Sequence, residues 1–386
     1  MSVTTVQTNN KLIQFRKEIT REYIRENAFS PYMGTGMTAI IRTLQDNKKG
    51  GEQVNVPIVT RLKQAVSGAA DTLVDHEEAI DNYGCRLYVD WARHAVVTNA
   101  AEEQKDSADI FAEAQPLLAD WGKELQRDEI IQAMMALPSE SAPANLGGAS
   151  GGQRVNGILY EDATTGQANT WASDNSDRVL YGNALSNYSG VHVTDIGKVD
   201  TTSDKFVAAS VSLLKYVAKT ADPHIRPYKL GDGREYFVAF AGSNNFRQLR
   251  TDMLTINENA RPRDVGANPI FQDGDLIYEG VIIREVPEID SMVNSLWDSG
   301  ISLNLKTGGD TSSRVAPVFL CGQQAIAMPW AKMPTPTTRD ETDYQFLRGV
   351  GVKMCYGIGK VFKKHSSTKL VQLGMVTGFF SAANPS

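Results

Sequence analysis

The chain has 386 residues, of which 41% are hydrophobic and 22% are charged, a globular composition that excludes a disordered or collagenous protein. Its 39 Lys and Arg against 45 Asp and Glu give a net charge of −6, and its longest proline-free apolar run, Tyr236 to Gly242, has seven residues, whereas a helix needs about 18 to cross a bilayer. The three cysteines, Cys85, Cys321 and Cys355, are far apart, which excludes a Cys-x-x-Cys metal site and argues against disulfides, so we predict three small apolar side chains in strands.

The first 50 residues differ in charge from the rest of the chain. They carry eight Lys or Arg and four Asp or Glu, a net of +4, which leaves −10 for the remainder. Charges of both signs alternate between Arg16 and Glu26, and apolar residues occur there at helical spacing: Leu12, Ile13, Ile19, Tyr23 and Ile24. This pattern predicts an amphipathic arm that lies on protein, because nucleic-acid-binding segments concentrate more positive charge. The first ten residues lack the layout of a signal peptide, so we expect a soluble protein made in a cytoplasm.

Residues 51–98 predict an extended β-hairpin. Apolar residues alternate with others from Val54 to Ile58 and again from Cys85 to Trp91, which is the period of a strand exposed on one face. Pro57 suits an edge strand, because proline cannot donate to a ladder on both sides. The connection between the two runs is polar and acidic. Since the hairpin has little apolar surface of its own, we expect another subunit to cover it.

An apolar stripe at helical spacing follows, from about Ala101 to Leu137. It predicts a helix of more than thirty residues that forms the spine of one layer. We expect Pro116 to kink or interrupt this helix, because proline removes a backbone donor. The segment from Pro138 to Gly157 is rich in Ser, Pro, Ala, Gly and Asn and predicts a loop.

Helical and strand patterns alternate beyond residue 200. Ser203 is predicted to cap a helix that runs through Val217, and Ser243 to cap a short second helix. Strands are predicted at Tyr236–Ala241, Leu276–Val286, Pro317–Met328, Leu347–Phe362 and Leu370–Phe380. The hairpin, the long helix, the mixed body and the terminal strands together predict an α+β fold.

Three sequence motifs look like reactive or binding sites, and none has the context that its chemistry needs. The Gly148–Gly152 segment fits the Gly-x-Ser-x-Gly motif around Ser150, but its flanks predict a loop, whereas a hydrolase elbow needs a strand before the serine and a helix after it. His76 begins a zinc-protease pattern that lacks its second histidine. Gly349 and Gly351 lack a phosphate-binding continuation and are predicted to allow close strand packing. We therefore predict no enzyme activity and no catalytic, cofactor-binding or metal-binding residue, with a serine hydrolase using Ser150 as an alternative.

Twelve segments in a fixed order, spread over about 350 residues, carry a resemblance to a known family. They are Phe29–Gly34, Gly50–Leu62, Tyr83, Arg93–Val96, Arg178–Ala184, Tyr236–Phe240, Phe246–Asp252, Asn268–Phe271, Tyr278–Glu285, Phe319–Ala325, Asp343–Tyr344 and Gly357–Phe362. In this order they resemble the major capsid (coat) proteins of tailed double-stranded-DNA bacteriophages, in particular the coliphage N-four-type branch. No single segment is specific for the family, whereas their order is.

The resemblance implies the tailed-phage capsid fold, or Johnson fold, an α+β fold with named parts. These are an N-terminal arm (1–50), an extended β-hairpin loop (51–98), a first part of the peripheral domain with the spine helix at about 101–137 and a Gly/Ser-rich loop (99–199), an axial domain (200–330), and C-terminal strands of the peripheral domain (331–386). In this family the extended loop lies on a neighbouring subunit, which agrees with the expectation that another subunit covers the hairpin.

The implied function is assembly into hexamers and pentamers of an icosahedral shell that packages phage double-stranded DNA. About fifty residues precede the hairpin, too few for a scaffolding segment, so a separate scaffolding protein is expected. A portal protein and decoration proteins are further implied partners. DNA contact should be non-specific, because the chain beyond the arm is acidic, and no membrane or cofactor is involved. The expected location is the virion capsid, assembled in the bacterial host cytoplasm, and an encapsulin-like nanocompartment shell stays open as an alternative.

Charged residues of the hairpin are candidates for salt bridges between subunits. They are Arg61, Lys63, Asp75, Glu77, Glu78, Arg86 and Arg93. Because exposed ion pairs contribute little individually, we expect only a part of this set to matter.

Overall fold

A computed structural model describes fourteen stretches of the chain. They are 25, 27–45, 52–62, 77–78, 82–105, 110–149, 151–229, 235–259, 276–298, 303, 305–307, 310–339, 346–364 and 369–382. The predicted amphipathic helix before Arg25, two of the salt-bridge candidates (Lys63 and Asp75) and Ser150 lie outside the described residues. Among the described helices, none is long and apolar enough to span a membrane.

The described residues form seven α-helices and eighteen β-strands. The helices are α1 (Ala100–Lys105), α2 (Ile110–Met135), α3 (Thr165–Asp174), α4 (His192–Lys198), α5 (Ala208–Thr220), α6 (Ser243–Asn259) and α7 (Glu288–Asp298). The strands of the first half are β1 (Met33–Gly34), β2 (Ile41–Gln45), β3 (Gln53–Val59), β4 (Asn82–Tyr88), β5 (Asp90–Asn99) and β6 (Val179–Tyr181). Those of the middle are β7 (Tyr228–Lys229), β8 (Glu235–Ala241), β9 (Leu276–Tyr278), β10 (Val281–Glu285), β11 (Lys306–Thr307), β12 (Asp310–Cys321) and β13 (Ile326–Thr338). The last are β14 (Leu347–Tyr356), β15 (Gly359–Lys360), β16 (Phe362–Lys364), β17 (Leu370–Gln372) and β18 (Met375–Ser381).

The chain divides into two compact units. The smaller takes most of its described residues from Ala92–Gln126 and Pro334–Met354. Its strands are neighbours in the order β13, β14 and β5, and the first half of α2 covers one face of this sheet. Ala114 and Leu118 lie one turn apart on α2 and pack with Val96 and Val350, because residues four apart share one side of a helix.

The larger unit contains Ala28–Trp91, Arg127–Met333 and Cys355–Ser386. Its main sheet has the order β6-β18-β12-β8-β10-β9, with β11 added to β12 and β7 to β8. The central strands are buried on both faces, and helices α5 and α6 pack their apolar sides against the sheet through residues such as Leu214, Phe246 and Leu249. The same unit contains β1, β2, β15 and the first half of β13. It also contains two two-stranded pairs, β3–β4 and β16–β17.

The long predicted helix is described as two helices, with residues 106–109 between them outside the described residues. Helix α1 ends at Lys105 and α2 begins at Ile110, while Pro116 lies inside α2. Pro116 is the seventh residue of α2 and removes one backbone bond of the helix, and nearby Ala114 and Leu118 are buried. Pro116 therefore does not interrupt the helix, while the alternative part of the prediction, a kink at Pro116, stays a prediction.

Both predicted serine caps are wrong. Helix α5 begins at Ala208, and the Val207 N–H donates to Ser210 Oγ at 2.9 Å. Ser203 instead donates its hydroxyl to Asp200 in a turn before this helix. At the start of α6, the Asn244 N–H donates to Asp290 Oδ2 at 2.9 Å, so a carboxylate from α7 satisfies this helix end.

Strand Tyr236–Ala241 is confirmed as the buried centre of β8, whereas the other four predicted strands are each divided. The predicted strand Leu347–Phe362 spans β14, β15 and the first residue of β16, and the other three break at turns. The first turns at Glu279 and Gly280, which have φ of 49° and 77° and join β9 to β10 as an antiparallel hairpin. The second breaks between β12 and β13 at Gly322, where an added Cβ would lie 2.2 Å from the Arg226 carbonyl oxygen. The third breaks between β17 and β18 at Gly374. A continuous apolar run does not by itself distinguish one strand from two.

Candidate assembly interface

The predicted hairpin is formed by β3 and β4, which pair antiparallel from Gln53 opposite Tyr88 to Val59 opposite Asn82. Alternation puts Val56, Cys85 and Leu87 on one buried face. This face packs against Ala327, Val361 and Phe362 of the same chain. The expectation that another subunit must cover the whole hairpin is therefore corrected, because its base is covered by its own body.

The outer part of the described hairpin keeps apolar side chains in solvent. Val59 is 65% exposed and Leu62 is 64% exposed. Arg61, between them, lies with Nη2 2.6 Å from Asp222 Oδ1, an ion pair that is more than half exposed on both sides. Such a pair is screened by water and is weak, so this contact leaves the apolar end of β3 available for a partner.

The other predicted contact residues are spread over the hairpin. Arg86 is exposed on the outer face of β4, and Arg93 is exposed on β5. Glu77 is exposed and Glu78 is half-buried. The role of these residues in contacts between subunits stays a prediction.

Just after the hairpin, at the start of β5, the Asp90 carboxylate binds the glycine-rich loop. This side chain is buried and accepts three backbone N–H bonds, from Trp91 at 2.7 Å, Gly147 at 2.9 Å and Gln153 at 3.1 Å. Gly152 has φ of +62°, and a Cβ there would lie 2.3 Å from Asp90 Oδ2. The glycine-rich loop is thus closed around a carboxylate, and its described residues form turns rather than the strand and helix of a hydrolase elbow.

A buried ion pair between Arg154 and Glu129 lies next to this loop. Arg154 Nε donates to Glu129 Oε1 at 2.7 Å, and the Tyr356 hydroxyl donates to Glu129 Oε2 at 2.6 Å. The same guanidinium donates to the carbonyl oxygens of Trp91 and Gly151 at 3.1 and 2.6 Å. Burial by itself would lower the pKa of Arg154, but the Glu129 carboxylate outweighs burial and raises it. We name Asp90, Glu129, Arg154 and Tyr356 the hairpin-base cluster.

Two further titratable groups are buried outside the hairpin-base cluster. His192 lies with Nε2 3.0 Å from the Tyr160 hydroxyl and Nδ1 2.7 Å from the Tyr181 hydroxyl, and burial lowers its pKa to about 4. Lys360 Nζ donates to Gln372 Oε1 at 3.3 Å, and burial lowers its pKa to about 7. Both groups therefore favour the uncharged form inside the fold.

The sequence predicted the state of the three cysteines but did not reveal the hairpin-base cluster. Cys85, Cys321 and Cys355 are buried, unpaired and in strands, as predicted. The hairpin-base cluster was missed, since its members are separated by 25 to 227 residues in the bonds that join them and share no motif. Among the described residues, no group of three or more His, Cys, Asp or Glu side chains is arranged to bind a metal ion.

The family follows from the comparison with known proteins. The model of the phage capsid protein family matches residues 3–377. The chain belongs to the phage capsid protein family. The cyanophage Pam1 capsid asymmetric unit is 32% identical to this capsid protein, with a TM-score of 0.83 and complete coverage of both chains. None of the curated proteins matches the sequence.

More distant structures share the fold of this capsid protein. The capsid of Ralstonia phage GP4 is 15% identical, covers 100% of both chains and has a TM-score of 0.66. The head structure of Helicobacter pylori bacteriophage KHP40 is 12% identical, covers 97% of this chain and 96% of its own, and has a TM-score of 0.61. The predicted family, the α+β capsid fold and the structural role are thereby confirmed: this is a major capsid protein, a component of the virion shell.

Proposed function

We propose that this capsid protein assembles as hexamers and pentamers into a closed icosahedral shell around double-stranded phage DNA, and that the hairpin of one copy clasps a neighbour. The observation that carries the clasp is the outer end of β3, where Val59 and Leu62 are about two-thirds exposed although the base of the same hairpin is packed. Two exposed apolar side chains at the end of the described part of the hairpin support a protein contact there.

The proposed shell also implies partner proteins, a place of assembly and a contact with DNA. A separate scaffolding protein, a portal protein and decoration proteins are the partners we propose, and assembly takes place in the bacterial host cytoplasm. The packaged DNA is contacted non-specifically, because the chain beyond residue 50 has a net charge of −10. Closed symmetry repeats one interface many times, so modest contacts in each subunit suffice.

The clasp is tested by deleting Gln64 to Ala79 and examining the expressed protein by negative-stain microscopy, with the wild type beside it. We expect closed shells from the wild type with its scaffolding protein. The deletion should give dispersed subunits whose unfolding midpoint lies within about 5 °C of the wild type, because it leaves the packed residues Val56, Cys85 and Leu87 in place. Normal shells from the deletion variant would contradict the clasp.

The contents of the shell test the second half of the proposal. Purified shells from infected cells should contain double-stranded DNA. An enzyme cargo without DNA would instead favour a nanocompartment. Labelling of Ser150 by a fluorophosphonate would indicate a hydrolase, and we expect none.

A further inference from the structure

Strand β13 is longer than the strand that pairs with it on one side. From Ile326 to Trp330 it pairs in parallel with β2, which ends at Gln45. On the other side it is the neighbour of β14. Beyond Trp330, no strand in the described part of the chain pairs with β13 on the β2 side. We name residues 331–338 on this side the outer edge of β13.

The register between β13 and β14 is set by two close contacts. The Arg339 N–H, directly after β13, donates to the Gly349 carbonyl oxygen at 2.9 Å. A Cβ added to Gly351 would lie 3.1 Å from Thr337 Oγ1. Thr337 is therefore opposite Gly351, and the two strands run antiparallel. The glycines permit this close strand packing, as predicted from the sequence.

The register fixes which backbone groups face the outer edge. Along a strand, successive N–H groups point to opposite sides. Since the Arg339 N–H points to β14, the even-numbered positions 334, 336 and 338 point to the outer edge. The Ile326 N–H, also at an even position, donates to the Ile40 carbonyl oxygen at 3.2 Å on the β2 side, which agrees with this direction.

Two of these three outward positions have no donor. Residues 334 and 336 are proline, and proline has no backbone N–H. Both prolines and Thr338 are exposed, so another chain could reach this side. A strand added there would place its carbonyl oxygens against two proline rings instead of two N–H groups, and unpaired carbonyls in a sheet are costly.

Without its prolines, this segment would be a strong strand former. Residues 333–338 read Met-Pro-Thr-Pro-Thr-Thr and contain no charged side chain. Threonine favours strands, and short uncharged segments without proline are the ones that pair with other chains. Charged side chains are another means of protecting a sheet edge, and this segment has none, so the protection depends on Pro334 and Pro336.

We propose that Pro334 and Pro336 prevent the outer edge of β13 from pairing with the same edge of a second copy. Two such edges would be self-complementary and would join two subunits about a two-fold axis. A dimer of this kind would withdraw subunits from shell assembly. The inference goes beyond the proposed shell and does not depend on the clasp.

The first test restores the two donors in the full-length protein with Pro334→Thr and Pro336→Thr together. Size-exclusion chromatography with light scattering should show a dimer population at least about tenfold above that of the wild type at the same concentration. Amide hydrogens of 331–338 should exchange more slowly as the protein concentration rises. The control is Pro31→Thr with Pro138→Thr, two prolines outside the strands, and it should match the wild type.

The second test uses the predicted direction of two adjacent N–H groups. Thr338→Pro removes a donor that faces the outer edge, so its unfolding midpoint should stay within about 3 °C of the wild type. Thr337→Pro removes a donor that faces β14, so the loss of a ladder bond should lower the midpoint by at least about 5 °C.

Three outcomes would overturn the inference. They are a double threonine variant that stays as monomeric as the wild type, a dimer without slower exchange at 331–338, and equal midpoints for Thr337→Pro and Thr338→Pro. If the double threonine variant does not fold, the two midpoints decide the question. All these measurements are made on dissociated subunits, so their failure is distinguishable from a failure of the proposed shell or clasp.

Discussion

Mild acid should destabilise the dissociated subunit through His192. An unfolded histidine has a pKa near 6.5, whereas burial lowers that of His192 to about 4. Between these values the unfolded chain binds a proton that the folded chain does not, so the stabilisation is present above pH 6.5 and is lost as the pH falls toward 4. For one such group the loss is about 2 kcal/mol at pH 5 relative to pH 7.

The structure explains why the neutral ring is favoured. Both ring nitrogens lie within hydrogen-bonding distance of tyrosine hydroxyls, Tyr160 at 3.0 Å and Tyr181 at 2.7 Å, and a neutral ring can donate to one and accept from the other. Trp171 and Phe379 close the pocket edge-on, at 5.4 and 5.3 Å between ring centroids. A protonated ring would have to be held in this apolar environment with only Asp195 opposing the effect of burial.

Urea denaturation followed by tryptophan fluorescence at pH 7 and pH 5 measures the effect, at protein concentrations too low for shells. His192→Gln should remove most of the difference between the two pH values, whatever its stability at pH 7. His224→Gln is the matched control, because His224 is exposed, and it should behave as the wild type does. The reasoning is refuted if His192→Gln retains the wild-type difference between pH 7 and pH 5.

Three further substitutions test the other buried groups. Glu129→Gln should cost about 3 kcal/mol in urea denaturation at pH 7, because it leaves the Arg154 guanidinium buried without its carboxylate. Lys360→Met should remove a gain of about 3 kcal/mol that the wild type shows between pH 7 and pH 9.5, since the pKa of about 7 means that only the unfolded lysine stays protonated over this range. Gly152→Ala should cost about 2 kcal/mol, because its φ of +62° and the nearby Asp90 carboxylate both oppose a Cβ.

Each of these three substitutions has a control variant or an outcome that would contradict it. Asp128→Asn changes the neighbouring carboxylate, which is 55% exposed, and should cost less than about 1 kcal/mol. Gly151→Ala introduces a Cβ at φ of +83° with no atom within 4 Å, so it should cost less than Gly152→Ala, and equal costs would contradict the role of Asp90. For Lys360→Met, an unchanged slope of stability against pH would show that the lysine is not the group that titrates.

The local parts of the fold could be predicted from the sequence. Alternation from Val54 to Ile58 and from Cys85 to Trp91 identified the hairpin, and the apolar run at 236–241 identified the central strand of the main sheet. These patterns reflect which side of an element is buried, and each is contained within a few adjacent residues. The order of segments along the chain also carried the family.

Helix caps and strand ends were harder to predict from the sequence, because residues far away along the chain determine them. The start of α6 is satisfied by Asp290, 46 residues further along the chain, and no local serine is needed there. Helix α2 continues through Pro116 since packing outweighs a local propensity. Glycine is needed at position 322, directly after β12, because the Arg226 carbonyl oxygen lies 2.2 Å from where a Cβ would be.

The order of segments along the chain was enough to identify the phage capsid protein family. The polar residues that stabilise the start of β5 could be identified only in the folded chain, because they come from separate elements. Glu129 and Tyr356 are 227 residues apart, and the Asp90 carboxylate accepts from the N–H groups of Gly147 and Gln153, 57 and 63 residues further along the chain. Periodicity records burial along one element, whereas a buried ion pair forms only when separate elements meet.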